Sequence, residues 1–279
     1  MTCTRWAAST VALLAIAVWP VASIGADQIA WHATFNDALA SAKRSGKLVA
    51  VDFYAEWCEP CKMLEHETFP HPDVIRAGAT FEWARVDVDR YPELAMRYNV
   101  QGIPNIVFLS PGGELVHRAV GFYPPEPFAD VLSVAAPLGR QLDELQKRPD
   151  DATANYDAAM TYLALQRPAE AQPLFEKVLR TTPKKHRDRR IGALAGRAAC
   201  LAFSAKPRKA LRRLRPLLKR NPSGEHAPML KWHIAYAYFR MDEFGRSRQA
   251  AEALVEDHGE SRWAGRAKPL IERAEQLAG

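Results

Sequence analysis

Two cysteines stand two residues apart in the segment Trp57-Cys58-Glu59-Pro60-Cys61. Thiols at this spacing, at the start of a helix, can close a small disulfide ring. Pro60 fits the first helical turn because its missing N–H would have no partner there. The unpaired N–H groups and the helix dipole at that end stabilise an anion, which lowers the pKa of the Cys58 thiol. Because the thiolate is the form that attacks disulfides, the pair predicts thiol–disulfide chemistry.

A zinc site is the alternative interpretation of this pair. Cys58, Cys61 and the nearby His66 supply at most three ligands, and the sequence has no second Cys-x-x-Cys. Structural zinc sites use four protein ligands. We therefore expect no metal, and no cofactor other than a redox-active disulfide.

The elements that position the cysteines alternate between strand and helix patterns. A β-branched apolar run at 48–54 predicts a buried strand that leads directly into the cysteine segment. The other patterns predict helices at 33–45, 58–66, 92–98 and 126–135 and strands at 81–88, 105–109 and 114–117. This order predicts a mixed α/β domain.

The segment from Asp52 to Lys62 resembles the active-site segment of the thioredoxin superfamily. It is similar to the periplasmic reductase domains at the C-terminus of transmembrane thiol–disulfide interchange proteins. Downstream, Gly102-Ile103-Pro104 resembles the family's cis-proline loop. The resemblance covers about residues 30–138. It implies an α/β thioredoxin fold and a protein-disulfide oxidoreductase.

Three residues are expected to carry the catalysis. Cys58, at the exposed helix tip, is interpreted as the attacking thiolate, and Cys61, one turn later, as the resolving thiol. Asp52 lies in an otherwise apolar strand, where burial raises the pKa of a carboxyl group and suits it to accept the Cys61 proton. The family uses an acid at this position in that way. The alternative for Asp52 is an exposed strand face.

The resemblance also implies a surface on which a substrate strand docks. In the family the peptide bond before the proline is cis, and the adjacent backbone pairs with the substrate. Gly121 is similar to the family's glycine near the active site, which allows close backbone approach. The alternative for Pro104 is an ordinary turn proline. The expected substrate-binding residues are Trp57, Glu59, Pro60, Ile103, Pro104 and Gly121.

The residue inside the ring bears on the direction of electron flow. A carboxylate at Glu59 disfavours the Cys58 thiolate, whereas strong oxidants have an unusually stable thiolate. Glu59 therefore favours a reductase or a mid-range carrier over a strong oxidase. An exported reductase needs an electron donor, for which a membrane thiol carrier is our expectation.

The N-terminus has the pattern of a secretory signal peptide. Arg5 precedes an apolar run at 6–19, and small residues follow up to Ala26. The run is short for a spanning helix, which needs about 20 apolar residues, although an uncleaved anchor is the alternative. We expect a signal peptide at 1–26 and a periplasmic or otherwise exported protein. The remaining Cys200 lies in an apolar helical context, which predicts a small buried side chain.

Beyond a connecting segment at 139–150, strand patterns cease and helical pairs recur over 151–279. The second helices of three pairs begin at Pro168, Pro207 and Glu243, a spacing close to the tetratricopeptide period of about 34 residues. The pattern resembles a degenerate tetratricopeptide array. Such arrays present a concave surface to a protein partner, so we expect a partner here. The aromatic residues of these helices either line that surface or form the core.

Charge differs between the two halves. Residues 27–140 hold 10 Lys and Arg against 15 Asp and Glu, a net charge of −5, whereas residues 141–279 hold 27 against 17, a net charge of +10. The basic stretches at 184–190 and 208–220 could be a solvated helix face, or could contact an acidic protein or an anionic membrane. No base-reading motif accompanies them, and export argues against nucleic acid.

These observations predict an exported thiol–disulfide oxidoreductase: a signal peptide at 1–26, a thioredoxin-like domain at 27–138 and an all-α tetratricopeptide-like domain at 151–279. We expect it to reduce protein disulfides through Cys58 and Cys61. The alternatives are an oxidase or isomerase, and an adaptor whose thioredoxin fold is a docking module.

Overall fold

The computed structural model describes residues 28–278, so the predicted signal peptide at 1–26 lies outside the described residues. Strands and helices alternate at first, and only helices follow. The strands are β1 (Val49–Tyr54), β2 (Glu82–Asp87), β3 (Asn105–Leu109) and β4 (Leu115–Val120). The helices among them are α1 (Phe35–Ser45), α2 (Glu59–Met63), α3 (Pro72–Gly78), α4 (Pro92–Arg97) and α5 (Pro125–Ala135).

The rest of the described chain is helical. The expected connecting segment forms most of α6 (Leu138–Lys147), and seven helices follow it. They are α7 (Ala152–Ala164), α8 (Pro168–Thr181), α9 (Arg187–Phe203), α10 (Pro207–Arg220), α11 (Ala227–Phe239), α12 (Phe244–His258) and α13 (Arg262–Ala278). The prediction of an all-α region after an α/β region is confirmed.

The four strands form one mixed sheet in the order β2-β1-β3-β4. β1 pairs with β2 in parallel and with β3 antiparallel, and β4 extends the sheet antiparallel to β3. Alternate side chains of each strand point to opposite faces of the sheet. Both faces contribute to buried clusters. Phe108 and Phe128 belong to one buried cluster, and Phe53 and Val107 belong to another.

The helix after the cysteines differs from the prediction. Instead of one helix over 58–66, the five-residue α2 passes into a π-helical turn at Leu64–Thr68. α3, which begins at Pro72 with the His71 side chain capping its N-terminus, was not predicted as a helix. Both differences lie in the segment that follows the cysteine pair.

The helical region packs against β4, one of the two outer strands of the sheet. Arg167, between α7 and α8, donates from Nη1 to the backbone oxygen of Val116 at 2.9 Å. Ala158 and Leu165 are buried in the same cluster as Phe128 of α5. The two regions therefore share part of one core.

Within the helical region, α9 packs closely on α8. A Cβ at Gly196 would lie 2.2 Å from Cζ of Phe175, a side chain with no exposed surface. The absence of a side chain at Gly196 is therefore what admits the Phe175 ring. In the described residues 28–278, no helix is both long and apolar enough to cross a membrane.

Candidate active site

Cys58 and Cys61 form a disulfide at the N-terminus of α2, with their Cα atoms 5.3 Å apart. Cys58 is the N-cap residue of the helix, and its sulfur accepts a hydrogen bond from the Cys61 N–H at 3.3 Å. Pro60 lies in the first turn, where no N–H partner is required. The strand β1 ends four residues before Cys58 and so sets the position of the ring.

The cysteines are less accessible than the sequence suggested. We expected Cys58 at an exposed tip, but the residue is only 4% exposed and Cys61 only 3%. They form a buried cluster with Ala55, against which Val88 and Ile103 pack. These two residues come from distant parts of the chain, which explains why the local sequence did not indicate the cover.

The loop before β3 lies against the disulfide. The Ile103–Pro104 peptide bond is cis, and Pro104 is buried. The backbone oxygen of Pro104 accepts a hydrogen bond from the Gly121 N–H at 2.9 Å. Gly121 has φ +88°, a conformation that favours glycine. Ile103, Pro104 and Gly121 are thus brought together, and Ile103 touches the cysteine cluster.

The remaining predicted docking residues are exposed. Trp57 is 67% exposed, and its indole Nε1 donates to Oδ2 of Asp89 at 2.8 Å. Glu59 has a 78% exposed side chain, and its Oε2 lies 3.2 Å from Nζ of Lys62. Pro60 is exposed as well. Trp57 is therefore a large accessible aromatic surface, held in place by one hydrogen bond, beside the disulfide.

Asp52 is buried in β1 and only 2% exposed, so the alternative of an exposed strand face is wrong. Burial raises the pKa of this carboxyl from 3.8 to about 6, although the Arg85 guanidinium opposes the shift. Nε of Arg85 lies 3.3 Å from Asp52 Oδ2, while Asp52 Oδ1 is buried without a hydrogen-bond partner. At pH 7 the carboxyl is mostly ionised and can accept a proton.

Two further charged residues complete this group, and neither was predicted from the sequence. Arg85 is the register partner of Asp52 on β2, and it also binds Glu65 through two hydrogen bonds of 3.1 and 3.2 Å. The hydrogen bond from Arg85 lowers the pKa of Glu65 more than burial raises it. The guanidinium carbon stands 4.2 Å from the ring centroid of Tyr54. The available signal was a basic residue in the strand predicted at 81–88, which follows the strand of Asp52 along the chain.

The other sequence candidates lie apart from this group. Cys200 is a free thiol in α9, 2% exposed, and burial raises its pKa to about 12. Among residues 28–278, no three His, Cys, Asp or Glu side chains are arranged to hold a metal ion. The only dithiol pair in that part of the chain is Cys58–Cys61.

Comparison with known proteins gives matches to the α/β region. Residues 35–136 match the family model described as a thioredoxin-like domain. A thioredoxin from Mycoplasmoides gallisepticum is 31% identical over 101 residues, which cover 36% of this chain and 97% of that protein. A thioredoxin from Thermus thermophilus of known structure is 31% identical, with a TM-score of 0.38 over 43% of this chain and 97% of that one.

A second group of relatives is much longer than the matched region. The thiol:disulfide interchange protein DsbD of Vibrio cholerae is 38% identical over 112 residues, which cover 38% of this chain. This chain spans only 19% of that protein, and 14% of the interchange protein DsbD 2 of Pseudomonas aeruginosa.

Proposed function

The chain belongs to the thioredoxin family of thiol–disulfide oxidoreductases, and from that premise we propose that it reduces disulfide bonds in other proteins through Cys58 and Cys61. The observation that carries the proposal is a disulfide at a helix N-terminus, next to an exposed Trp57 and following a strand whose Asp52 is buried. This family works with a redox-active disulfide and needs no external cofactor.

In the proposed cycle, the reduced protein donates two electrons to its substrate. The Cys58 thiolate attacks one sulfur of the substrate disulfide, and the other substrate sulfur leaves as a thiolate. Asp52 then accepts the proton of the Cys61 thiol. The Cys61 thiolate attacks the Cys58 sulfur of the mixed disulfide. This step re-forms the Cys58–Cys61 disulfide and releases the substrate as a dithiol.

Asp52 suits the role of proton acceptor because burial and the neighbouring Arg85 shift its pKa in opposite directions. Burial raises the pKa of the carboxyl to about 6, whereas Arg85 keeps it from rising further. Glu65 occupies two of the Arg85 N–H groups, so the guanidinium is shared between two carboxylates. We propose Arg85 as a residue that positions and tunes Asp52.

We propose that the substrate docks as an extended strand between Trp57 and the Ile103–Pro104 loop. Ile103 contacts the cysteine cluster, and the Trp57 indole is accessible and oriented by Asp89. Glu59 and Pro60 would line the same surface, and Gly121 leaves room for the substrate backbone. The substrate would therefore bind on an open surface and not in a deep pocket.

The direction of electron flow, the location and the domain roles are also proposals. We propose an exported protein with a signal peptide at 1–26, a redox domain at 27–138, a connecting helix in 139–150 and a tetratricopeptide-like domain at 151–279 for a protein partner. Its electron donor would be a membrane thiol carrier. The acidic Glu59 in the ring favours a reductase over a strong oxidase, with an effect that its exposure keeps small.

The experiment that tests this proposal is equilibration of the full chain with glutathione or dithiothreitol, followed by alkylation of free thiols and mass spectrometry. A reduction potential near about −270 mV is expected for a reductase. A value near about −120 mV would make the protein an oxidant. If no reversible disulfide forms, the redox proposal fails and an adaptor function takes its place.

A further inference from the structure

Helix α10 carries an exposed surface of uniform charge. Its basic residues are Arg208, Lys209, Arg212, Arg213, Arg215, Lys219 and Arg220, and every one of them is exposed. No acidic residue occurs between Arg197 and Glu225. Within residues 28–278, none of these seven side chains forms an ion pair or a hydrogen bond with another protein group. Helix faces in soluble proteins usually intersperse both signs of charge, so this surface is distinctive.

Part of this surface borders a groove. Arg208, Arg212 and Arg215 follow one another at i, i+4 and i+7, so they lie on one side of α10. That side faces the corner between α11 and α12, across a cavity of about 360 Å³. Arg246 of α12 stands on the opposite wall.

The groove has one carboxylate and an apolar floor. Glu243 is the only acidic residue in its lining, and its Oε2 lies 2.6 Å from Nη1 of Arg246. The floor includes Leu211 and Tyr238, which are 6% and 7% exposed. Four arginine guanidinium groups thus surround a floor of buried apolar side chains. Among the described residues, Arg246 is the only one of these four arginines that forms an ion pair.

We propose that this groove binds an acidic protein segment in which Asp or Glu side chains flank an apolar residue. The inference deepens the partner-binding part of the proposed function and does not depend on the redox part. Guanidinium groups bind carboxylates through two parallel hydrogen bonds, which gives direction as well as attraction. The Arg215 guanidinium, 5.3 Å from the Tyr238 ring centroid, is already oriented by that ring.

The shape of the site favours a peptide over a membrane or nucleic acid. An anionic bilayer is a broad surface that would contact the outward row of α10, including Lys209 and Arg213, without reaching the groove floor. A nucleic acid backbone would contact phosphate-binding cations but leave the apolar floor uncovered. Only a narrow segment can contact the arginines and the floor together.

The test is fluorescence anisotropy of the full chain with a labelled short peptide in which Asp and Glu residues flank a phenylalanine. Binding is expected to weaken with salt and to disappear for a peptide with Asn and Gln in place of the acids. The double variant Arg212→Glu/Arg215→Glu should lose about tenfold or more in affinity. The matched control Lys209→Glu/Arg213→Glu makes the same charge change on the same helix outside the groove, and should lose less than about threefold.

Three results would overturn the inference: no peptide binding, equal loss in both double variants, or tighter binding of phosphatidylglycerol vesicles or an oligonucleotide than of the peptide. The milder Arg212→Gln/Arg215→Gln variant, checked by circular dichroism, covers the case in which charge reversal unfolds the helix. Insulin reduction should be unchanged in all of these variants. If the protein reduces insulin but does not bind the peptide, only the proposed peptide-binding groove is contradicted. If it binds the peptide but does not reduce insulin, only the redox proposal is contradicted.

Discussion

The two regions of this protein use charge in opposite ways. In the α/β region, the Asp52 carboxyl is buried and only the partly covered Arg85 guanidinium approaches it. On α10, seven cations are exposed, and none of them forms an ion pair within residues 28–278. Burial changes the proton affinity of a group, which serves chemistry, whereas exposure leaves the charge intact for recognition. The net charges of −5 and +10 thus accompany the region proposed for redox chemistry and the region proposed for partner binding.

The largest effect is expected from removing the attacking thiol. Cys58→Ser should lower insulin reduction by at least about 10³-fold, because it removes the sulfur proposed to attack the substrate disulfide. Cys61→Ser should instead trap substrates as mixed disulfides, which non-reducing gels and mass spectrometry would detect. The control is Cys200→Ser, since the buried thiol of α9 should contribute nothing. A loss of activity in that control would show that the helical region takes part in disulfide reduction.

The buried carboxyl gives the next largest effect. Asp52→Asn should slow disulfide reduction by about 10²-fold at pH 7, because Cys61 loses its proton acceptor. The rate of the wild-type protein should rise through a pH of about 6 as Asp52 ionises, and that rise should be absent in the variant. Stopped-flow fluorescence of Trp57 across pH would measure both. An unchanged pH profile would exclude Asp52 from proton transfer.

The same variant should be more stable than the wild type at neutral pH. The pKa of Asp52 is raised from 3.8 to about 6 in the folded state, so the folded protein keeps this proton when the unfolded chain has lost it. Stability therefore falls as pH rises between those values. Asn cannot ionise, so Asp52→Asn should gain on the order of 2–3 kcal/mol at pH 7 and little at pH 3. Urea unfolding at the two pH values measures the difference.

The stability of the helical region can be tested with a substitution that changes packing and leaves every charge unchanged. Gly196→Ala places a methyl group against the buried Phe175 ring and should destabilise the protein by about 1–3 kcal/mol. The matched control is Gly245→Ala in α12, where a Cβ meets nothing within 4 Å and should be neutral or slightly stabilising. Thermal unfolding measures both variants. The reduction potential should stay the same, and a shift would show that helix packing reaches the disulfide.

The smallest effect is expected at the exposed charge beside the cysteines. Glu59 is 78% exposed and pairs with Lys62, so solvent screens its field at the disulfide. Glu59→Gln should change the reduction potential by less than about 30 mV, which corresponds to a tenfold change in the redox equilibrium. Glutathione equilibration resolves such a difference. A larger shift would mean that an exposed charge tunes this site as strongly as a buried one.

The sequence predicted what local patterns determine and missed what distant segments bring together. The strand leading to Cys58, the helix start at Pro60 and the burial of Asp52 follow from residues within one segment. The pairing of Arg85 with Asp52 depends on the parallel register of two strands joined by 27 intervening residues. Glu65 reaches Arg85 from a π-helical turn, which no residue pattern indicated. Ile103 was expected near the cysteines, but the burial of the cysteines beneath Val88 and Ile103 was not predicted, because the residues that produce it lie far apart in the sequence.

The contact between Arg167 and the backbone of β4 has a consequence for solubility. An outer strand is a template on which other chains can add strands and aggregate. In β4, the backbone oxygen of Val116 is occupied by Arg167, while Leu115 and Val120 at the strand ends are exposed apolar residues. The helical region therefore also covers part of this sheet edge. The α/β region expressed without it would expose the edge, and we expect it to aggregate through edge-to-edge strand pairing.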